Sequence, residues 1–291
     1  TRPRGRRRFP ELMVRTGESI SSAVRLSLLL AFGWGGGFSF AGAESVPPDV
    51  LLVTIDTLRP DALGWVAGRN RTPVLDRLAD GGVAFSAAVA PAPVTLPSHA
   101  SILSGLEPLR HGATDNGRPV GACPLLAERL SQAGWRTGAF VSGAPLARTF
   151  GLARGFGEYD EHFTVRGRER RASETVAAAQ RWLAAQPAGP VFLWVHLYDP
   201  HDPYEAPGAI GSSTRDAYDA EVREVDRALA PLLADPRFAG DLVVMAADHG
   251  EGLGEFGEAT HGLFVLLLGE GLLLFKRRGE APALRPRRGA G

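Results

Sequence analysis

The chain has 291 residues, 44% hydrophobic and 22% charged, which is enough apolar sequence to bury a sizeable core and excludes a disordered chain. Lysine plus arginine and aspartate plus glutamate both total 32, so charge gives no reason to expect a nucleic acid or an anionic membrane as partner. A single cysteine, Cys123, excludes an intramolecular disulfide and any cysteine-cluster metal site, and leaves the compartment open.

Residues 1–43 have the pattern of an export leader. Arg15 and Arg25 precede the apolar "LSLLLAFGWGGGFSFAGA", and Ala41, Gly42 and Ala43 form an A-x-A-like cleavage site. That stretch is too short and glycine-rich to make a stable membrane span. Met13 stands just ahead of the leader, so residues 1–12 read as sequence upstream of the natural start. "RRRFP" at 6–10 is loosely similar to a twin-arginine signal, and the competing reading makes 26–43 a buried helix. The leader reading places the mature protein in the bacterial periplasm or outside the cell.

From residue 49 strand-like and helix-like stretches alternate. The near-continuous apolar runs 49–56, 138–142, 191–199 and 242–248 predict strands buried on both faces. Residues 73–82, 124–135, 173–186 and 216–233 carry apolar positions at helical spacing. This alternation predicts an α/β fold. Three strands end in chemical groups: Asp56, then Asp199 with His201, then Asp248 with His249. In open α/β sheets ligands bind beyond the carboxyl ends of strands, so these side chains are expected to converge there. Asp56, Asp248 and His249 make a plausible ligand set for one divalent cation, whereas a lone aspartate at a strand end is ordinarily a cap or turn former.

In "PAPVTLPSHASILSG", residues 91–105, Pro97 suits the first turn of a helix and Gly105 its stop, which places Thr95 and Ser98 at a helix N-terminus. Anions bind at such a terminus, and a hydroxyl held there beside a metal can attack an ester. A plain helix cap at Thr95 is the alternative, and local sequence does not separate the two.

Five motifs in order resemble the sulfatase family of the alkaline phosphatase superfamily. They are "DVLLVTIDTLRPDALG" (49–64), "TLPSHASILSG" (95–105), "LRHGATDNG" (109–117), "WVHLYDPHDPYEAP" (194–207) and "AADHGEGLGEFGEATHG" (246–262). The resemblance implies a three-layer α/β/α sandwich with a mostly parallel central sheet. It also implies that Asp56, Asp248 and His249 hold one divalent metal ion (Ca, Mn, Mg or Zn), with Thr95 as nucleophile and further ligand. His201 would donate a proton to the leaving group. His99 takes the place of a family arginine among the catalytic residues, and Asn116 and His261 fall where substrate contacts are expected. His196, inside an apolar strand, reads as a structural core residue. The implied partner is a small-molecule or glycan ester of sulfate or phosphate.

Family sulfatases convert a cysteine or serine at the nucleophile position to formylglycine. Thr95 cannot give that aldehyde, because its extra methyl sits on the carbon to be oxidised, and Cys123 lacks the C-x-P-x-R surroundings. Thr57 stands where a second carboxylate is frequent, and His249 where asparagine is. Threonine with an Asp-His pair is the pattern of relatives that hydrolyse or transfer phosphate esters, which raises a phosphoglycerol- or phosphoethanolamine-type transferase as the alternative function. Pro203 occupies the place of a histidine needed for a second metal. The catalytic domain is expected over 44–270, C-terminally incomplete, and 271–291 as a basic Pro/Gly-rich tail, so an inactive truncated remnant is a third reading.

Overall fold

The computed structural model describes residues 47–68, 71–165, 169–207, 209, 213–255 and 271–276, with backbone alone at 86–87 and 271–276. The expected leader, His261 and the tail beyond 276 lie outside the described residues.

In chain order the strands are β1 (Val50–Ile55), β2 (Val83–Ala88), β3 (Arg136–Phe140), β4 (Glu158–Asp160), β5 (Val191–Leu197), β6 (Leu242–Ala247) and β7 (Gly271–Lys276). The longer helices are α1 (Pro73–Asp80), α2 (Thr95–Ser104), α3 (Leu126–Gln132), α4 (Ala172–Ala184) and α5 (Thr214–Leu233). One sheet in the order β2-β7-β6-β1-β5-β3-β4 holds all seven strands. The neighbours from β6 to β4 pair in parallel, and β7 runs antiparallel to both β6 and β2.

Both faces of the sheet are covered, as unbroken apolar strands require. The odd positions of β1, Leu51, Val53 and Ile55, pack with Leu75 of α1, Val176 of α4 and Val225 of α5. The even positions Val50 and Leu52 pack with Leu96 and Leu103 of α2, Leu130 of α3 and Trp194 of β5. The result is the expected α/β/α sandwich. Burial of such side chains stabilises by about 1.5–3 kcal/mol each.

Several predicted boundaries move. The strand expected at 138–142 starts two residues earlier, and β5 and β6 stop at Leu197 and Ala247, just before Asp199 and Asp248. Two strands escape the sequence pattern. β2 ("VAFSAA") has small residues instead of an apolar run, and β4 is only three residues long. Gly271–Lys276 enters the sheet as β7. An apolar run of strand length supplies a full set of backbone donors and acceptors, which the open edge of β6 satisfies.

Carboxylates from α5 tie the layers together. Asp226 accepts hydrogen bonds from the Val74 and Leu75 amides at the start of α1, across 152 and 151 residues of sequence. Glu221 receives the amides of Glu205 and Ala206. Asp226 thus caps α1, whose own N-cap residue Thr72 makes no side-chain cap, and Glu221 fixes the loop at 205–206.

Candidate metal centre and nucleophile

Strand alternation builds the site. Continuing the even-numbered face of β1 past Leu52 gives Thr54 and then Asp56, and the matching face of β5 runs Phe192, Trp194, His196. β1 and β5 pair in register Thr54 with His196, and β1 and β6 pair Ile55 with Ala247. Asp56 and Asp248 therefore leave adjacent strands at the same level.

The two carboxylates and His249 are buried, and one ligand atom from each lies within 4.8 Å of the others. His249 Nε2 is 3.6 Å from Asp56 Oδ1 and 3.4 Å from Asp248 Oδ2. Asp248 Oδ1 is satisfied by the amides of Thr57 (3.1 Å) and His249 (2.8 Å). Asp56 Oδ1 and Asp248 Oδ2 have no hydrogen-bond partner among the described residues. Burial opposes charge on Asp56, yet His196, His249 and His201 hold its carboxyl well below the usual range. Burial, and then the charge of Asp56, pushes Asp248 well above it. Two buried carboxylates this close resist ionising together unless positive charge joins them. The fit to a divalent cation is good: two oxygens without donors and one imidazole converge on a common point.

The turn after β1 is strained. Thr57 has φ 53°, the one positive φ among the described non-glycine residues, at a cost of about 1–3 kcal/mol for a β-branched side chain. The turn aims the Thr57 amide at Asp248, and the Tyr218 hydroxyl holds it from behind by donating to the Thr57 carbonyl at 2.8 Å. That hydroxyl in turn accepts from the Arg59 amide, so α5 clamps the loop.

Thr95 is the first residue of α2, and Val94 before it makes no side-chain cap. Thr95 therefore does not act as a plain cap. Its hydroxyl donates to Asp56 Oδ2 at 3.2 Å. Ser98, one turn on, donates to the Asp248 carbonyl at 2.7 Å. His99 is fully buried with both ring nitrogens engaged: Nδ1 donates to the Thr95 carbonyl at 2.8 Å and Nε2 accepts from the Thr54 hydroxyl at 2.9 Å. Trp194 Nε1 donates to the same hydroxyl oxygen at 3.0 Å, which orders the relay. Burial, and then His196, pushes the His99 pKa down to about 3, so the ring is neutral at pH 7. His99 Nδ1 also lies 3.5 Å from Asp248 Oδ2. Asn116 meets α2 rather than open space: its Oδ1 accepts from the Leu96 amide at 2.8 Å, serving as a cap from outside the helix.

The remaining candidates divide. His201 stacks on Tyr198 with ring centroids 4.4 Å apart, and its Nδ1 donates to the Asp202 carbonyl. Asp199 is no part of the cluster. It accepts from the Ala172 amide at 2.9 Å and from Arg171, capping α4. His261 lies outside the described residues. His196, read from the sequence as core, stands with Nε2 3.5 Å from Asp56 Oδ2. The period-two face Phe192, Trp194, His196 was the available signal, since it shares the parity of Thr54 and Asp56 once the strands are aligned.

The Sulfatase family model matches residues 48–273. Among individual relatives, the chain is 29% identical to N-acetylgalactosamine-6-sulfatase of Sus scrofa over 81% of this chain and 56% of that protein. It is 42% identical to steryl-sulfatase of Mus musculus over 27% of this chain and 13% of that protein. The chain thus spans about half the length of the first of these relatives. Similar solved structures include the phosphonate monoester hydrolase of Agrobacterium radiobacter (TM-score 0.61, 19% identity, 79% of this chain and 68% of that chain). The C-terminal periplasmic domain of EcEptC from Escherichia coli is also similar (TM-score 0.62, 17% identity, 84% of this chain and 76% of that chain). With five ordered motifs on an alkaline-phosphatase-like sheet and a family match from before β1 into β7, the chain belongs to the sulfatase family.

Proposed function

We propose that this domain is a divalent-cation-dependent hydrolase of sulfate or phosphate esters, with phosphoryl chemistry at Thr95. The carrying observation is the Thr95 hydroxyl, buried at the start of α2 and hydrogen-bonded to Asp56 beside the Asp248 and His249 cluster. Asp56, Asp248 and His249 would hold the cation, with Thr95 as a further ligand, and the mixed oxygen and nitrogen donors favour Mn or Zn over Ca. What the cation supplies there is positive charge that eases deprotonation of the hydroxyl and offsets charge on the transferring group.

The chain's own groups do the rest. Thr95 Oγ1 forms the new bond to phosphorus as the bond from phosphorus to the leaving oxygen breaks, and its proton departs along the hydrogen bond to Asp56 Oδ2. His201 is the proton donor to the leaving oxygen. The positive end of the α2 helix dipole faces the developing negative charge. Water then attacks phosphorus as the bond from phosphorus to Thr95 Oγ1 breaks; His201 takes a proton from that water and Asp56 returns its proton to Thr95, so phosphate leaves and both groups regain their starting state. His99 is a positioning residue, since both its nitrogens are committed to Thr95 and Thr54. Asn116 steadies the helix start, and His261 is a proposed substrate contact.

Thr95 favours phosphate over sulfate because a secondary alcohol cannot yield the formylglycine aldehyde. The relatives named as sulfatases favour sulfate. A small-molecule or glycan ester as substrate, an exported location and a leader over 1–43 complete the reading; no helix of the described residues is long and apolar enough to cross a membrane. The test is a parallel assay of an aryl sulfate, an aryl phosphate and a phosphodiester with Mn, Zn, Mg and Ca. Turnover of a phosphate ester that is lost on chelation is the expected result. No turnover of any ester with any cation would overturn the enzyme reading in favour of a catalytically inert remnant.

A further inference from the structure

His196 is fully buried on the inner face of β5, and its ring is gripped from the side away from the site. The Ser142 amide donates to His196 Nδ1 at 3.4 Å. The Ser142 hydroxyl donates to the His196 carbonyl at 2.7 Å and accepts from the Tyr198 amide at 2.7 Å, so one residue just past β3 fixes both the ring and its backbone. The His99 ring packs edge-on against it at 4.8 Å and closes off rotation. A ring nitrogen that accepts a hydrogen bond carries no proton, so in the neutral imidazole the proton sits on Nε2. Nε2 lies 3.5 Å from Asp56 Oδ2 and has no hydrogen-bond partner among the described residues.

Asp56 is thereby divided between two tasks. Oδ2 faces two donors, the Thr95 hydroxyl at 3.2 Å and His196 Nε2 at 3.5 Å. Oδ1 has none and faces His249 and the Asp248 side of the cluster. We infer that His196 is a positioning residue for the metal centre: through its Nε2–H it orients the Asp56 carboxylate so that Oδ1 is presented to the cation. The inference rests on the proposed divalent-cation site. Partners that orient a ligating group typically contribute 10–100-fold to metal affinity.

The test is Mn2+ titration of the full 291-residue chain by calorimetry and by electron paramagnetic resonance of free Mn2+, with no turnover measured. His196→Phe keeps the volume and removes the donor, and should weaken Mn2+ binding about 10–100-fold while the metal-free melting temperature stays near that of the wild type. His196→Gln carries an amide N–H at about the reach of Nε2 and should restore affinity to within about threefold. Should His196→Phe fail to fold, His196→Gln is set against His196→Asn, whose shorter amide falls short of Asp56 and should lose about tenfold or more. Equal affinities in the donor-bearing and donor-lacking variants would overturn the positioning role. Absence of Mn2+ binding by the wild-type chain would overturn the cation site, and this inference with it; wild-type binding that His196→Phe leaves unchanged would overturn the inference alone.

Discussion

Asp226 and Asp248 are both buried aspartates whose partners lie far away in the sequence, yet they are arranged oppositely. Asp226 spends its oxygens on the Val74 and Leu75 amides and stitches α5 to α1. Asp248 spends one oxygen on two amides and leaves Oδ2 without a hydrogen-bond partner among the described residues, a few ångströms from a second carboxylate in the same condition. Saturated carboxylates build the fold, and the unsaturated pair is what the proposed site rests on. A buried polar atom left without a partner costs about 1–3 kcal/mol, so two together point to a ligand whose binding offsets that cost.

The sharpest break between the two regions comes from Thr95. Thr95→Ala should cut turnover of the best ester substrate by about a thousandfold or more, with the melting temperature held within about 3 °C, because the hydroxyl caps nothing. Steady-state kinetics beside a thermal melt checks both. Thr95→Ser keeps the oxygen proposed to attack and should keep most of the activity.

Asp248→Asn sharpens the contrast. Its carbonyl oxygen can still accept from Thr57 and His249, while the repulsion with Asp56 disappears. Metal-free stability should rise by about 0.5–2 kcal/mol, and the stabilisation by millimolar Mn2+ expected of the wild type should vanish, read by melts with and without the ion. Asp226→Ala should do the reverse. It strands two buried amides, so stability should fall by about 2–3 kcal/mol, or roughly 5–10 °C, with Mn2+ affinity unchanged. The smallest effect belongs to the strained turn. Thr57→Gly relieves a left-handed φ at the expense of unfolded-state entropy and should move the melting temperature by no more than about 2 °C, with little change in Mn2+ binding.

The sequence displays this architecture unevenly. Strands β1, β5 and β6 are readable because burial on both faces leaves unbroken apolar runs, and α4 and α5 because their apolar stripes recur at helical spacing. β2 and β4 are not, since an edge strand needs neither an apolar run nor great length. Asp56, Asp248 and His249 are legible as chemical groups at strand ends. Asp199 looks the same in sequence and is a cap, because nothing local says that the amide of Ala172 waits to be accepted. His196 is hidden for the opposite reason: an imidazole within "VFLWVHL" looks like core until strand register sets it beside Asp56. Register and long-range capping are three-dimensional facts, and they decide which polar groups are spoken for.

The place of β7 bears on how the chain is made. β2 emerges early from the ribosome, but its one ladder among the described residues is with β7, which comes at residues 271–276. Until then Val83 and Phe85, 58% and 40% exposed even in the finished fold, sit on a segment with no strand to pair with, and β6 presents an open edge. The parallel strands from β6 to β4 can assemble first, and the domain is sealed last, by a single antiparallel strand inserted between two waiting edges. The nascent chain is therefore most prone to edge-to-edge association in the interval before that strand arrives, and a chain ending short of Gly271 would keep both edges open throughout its life.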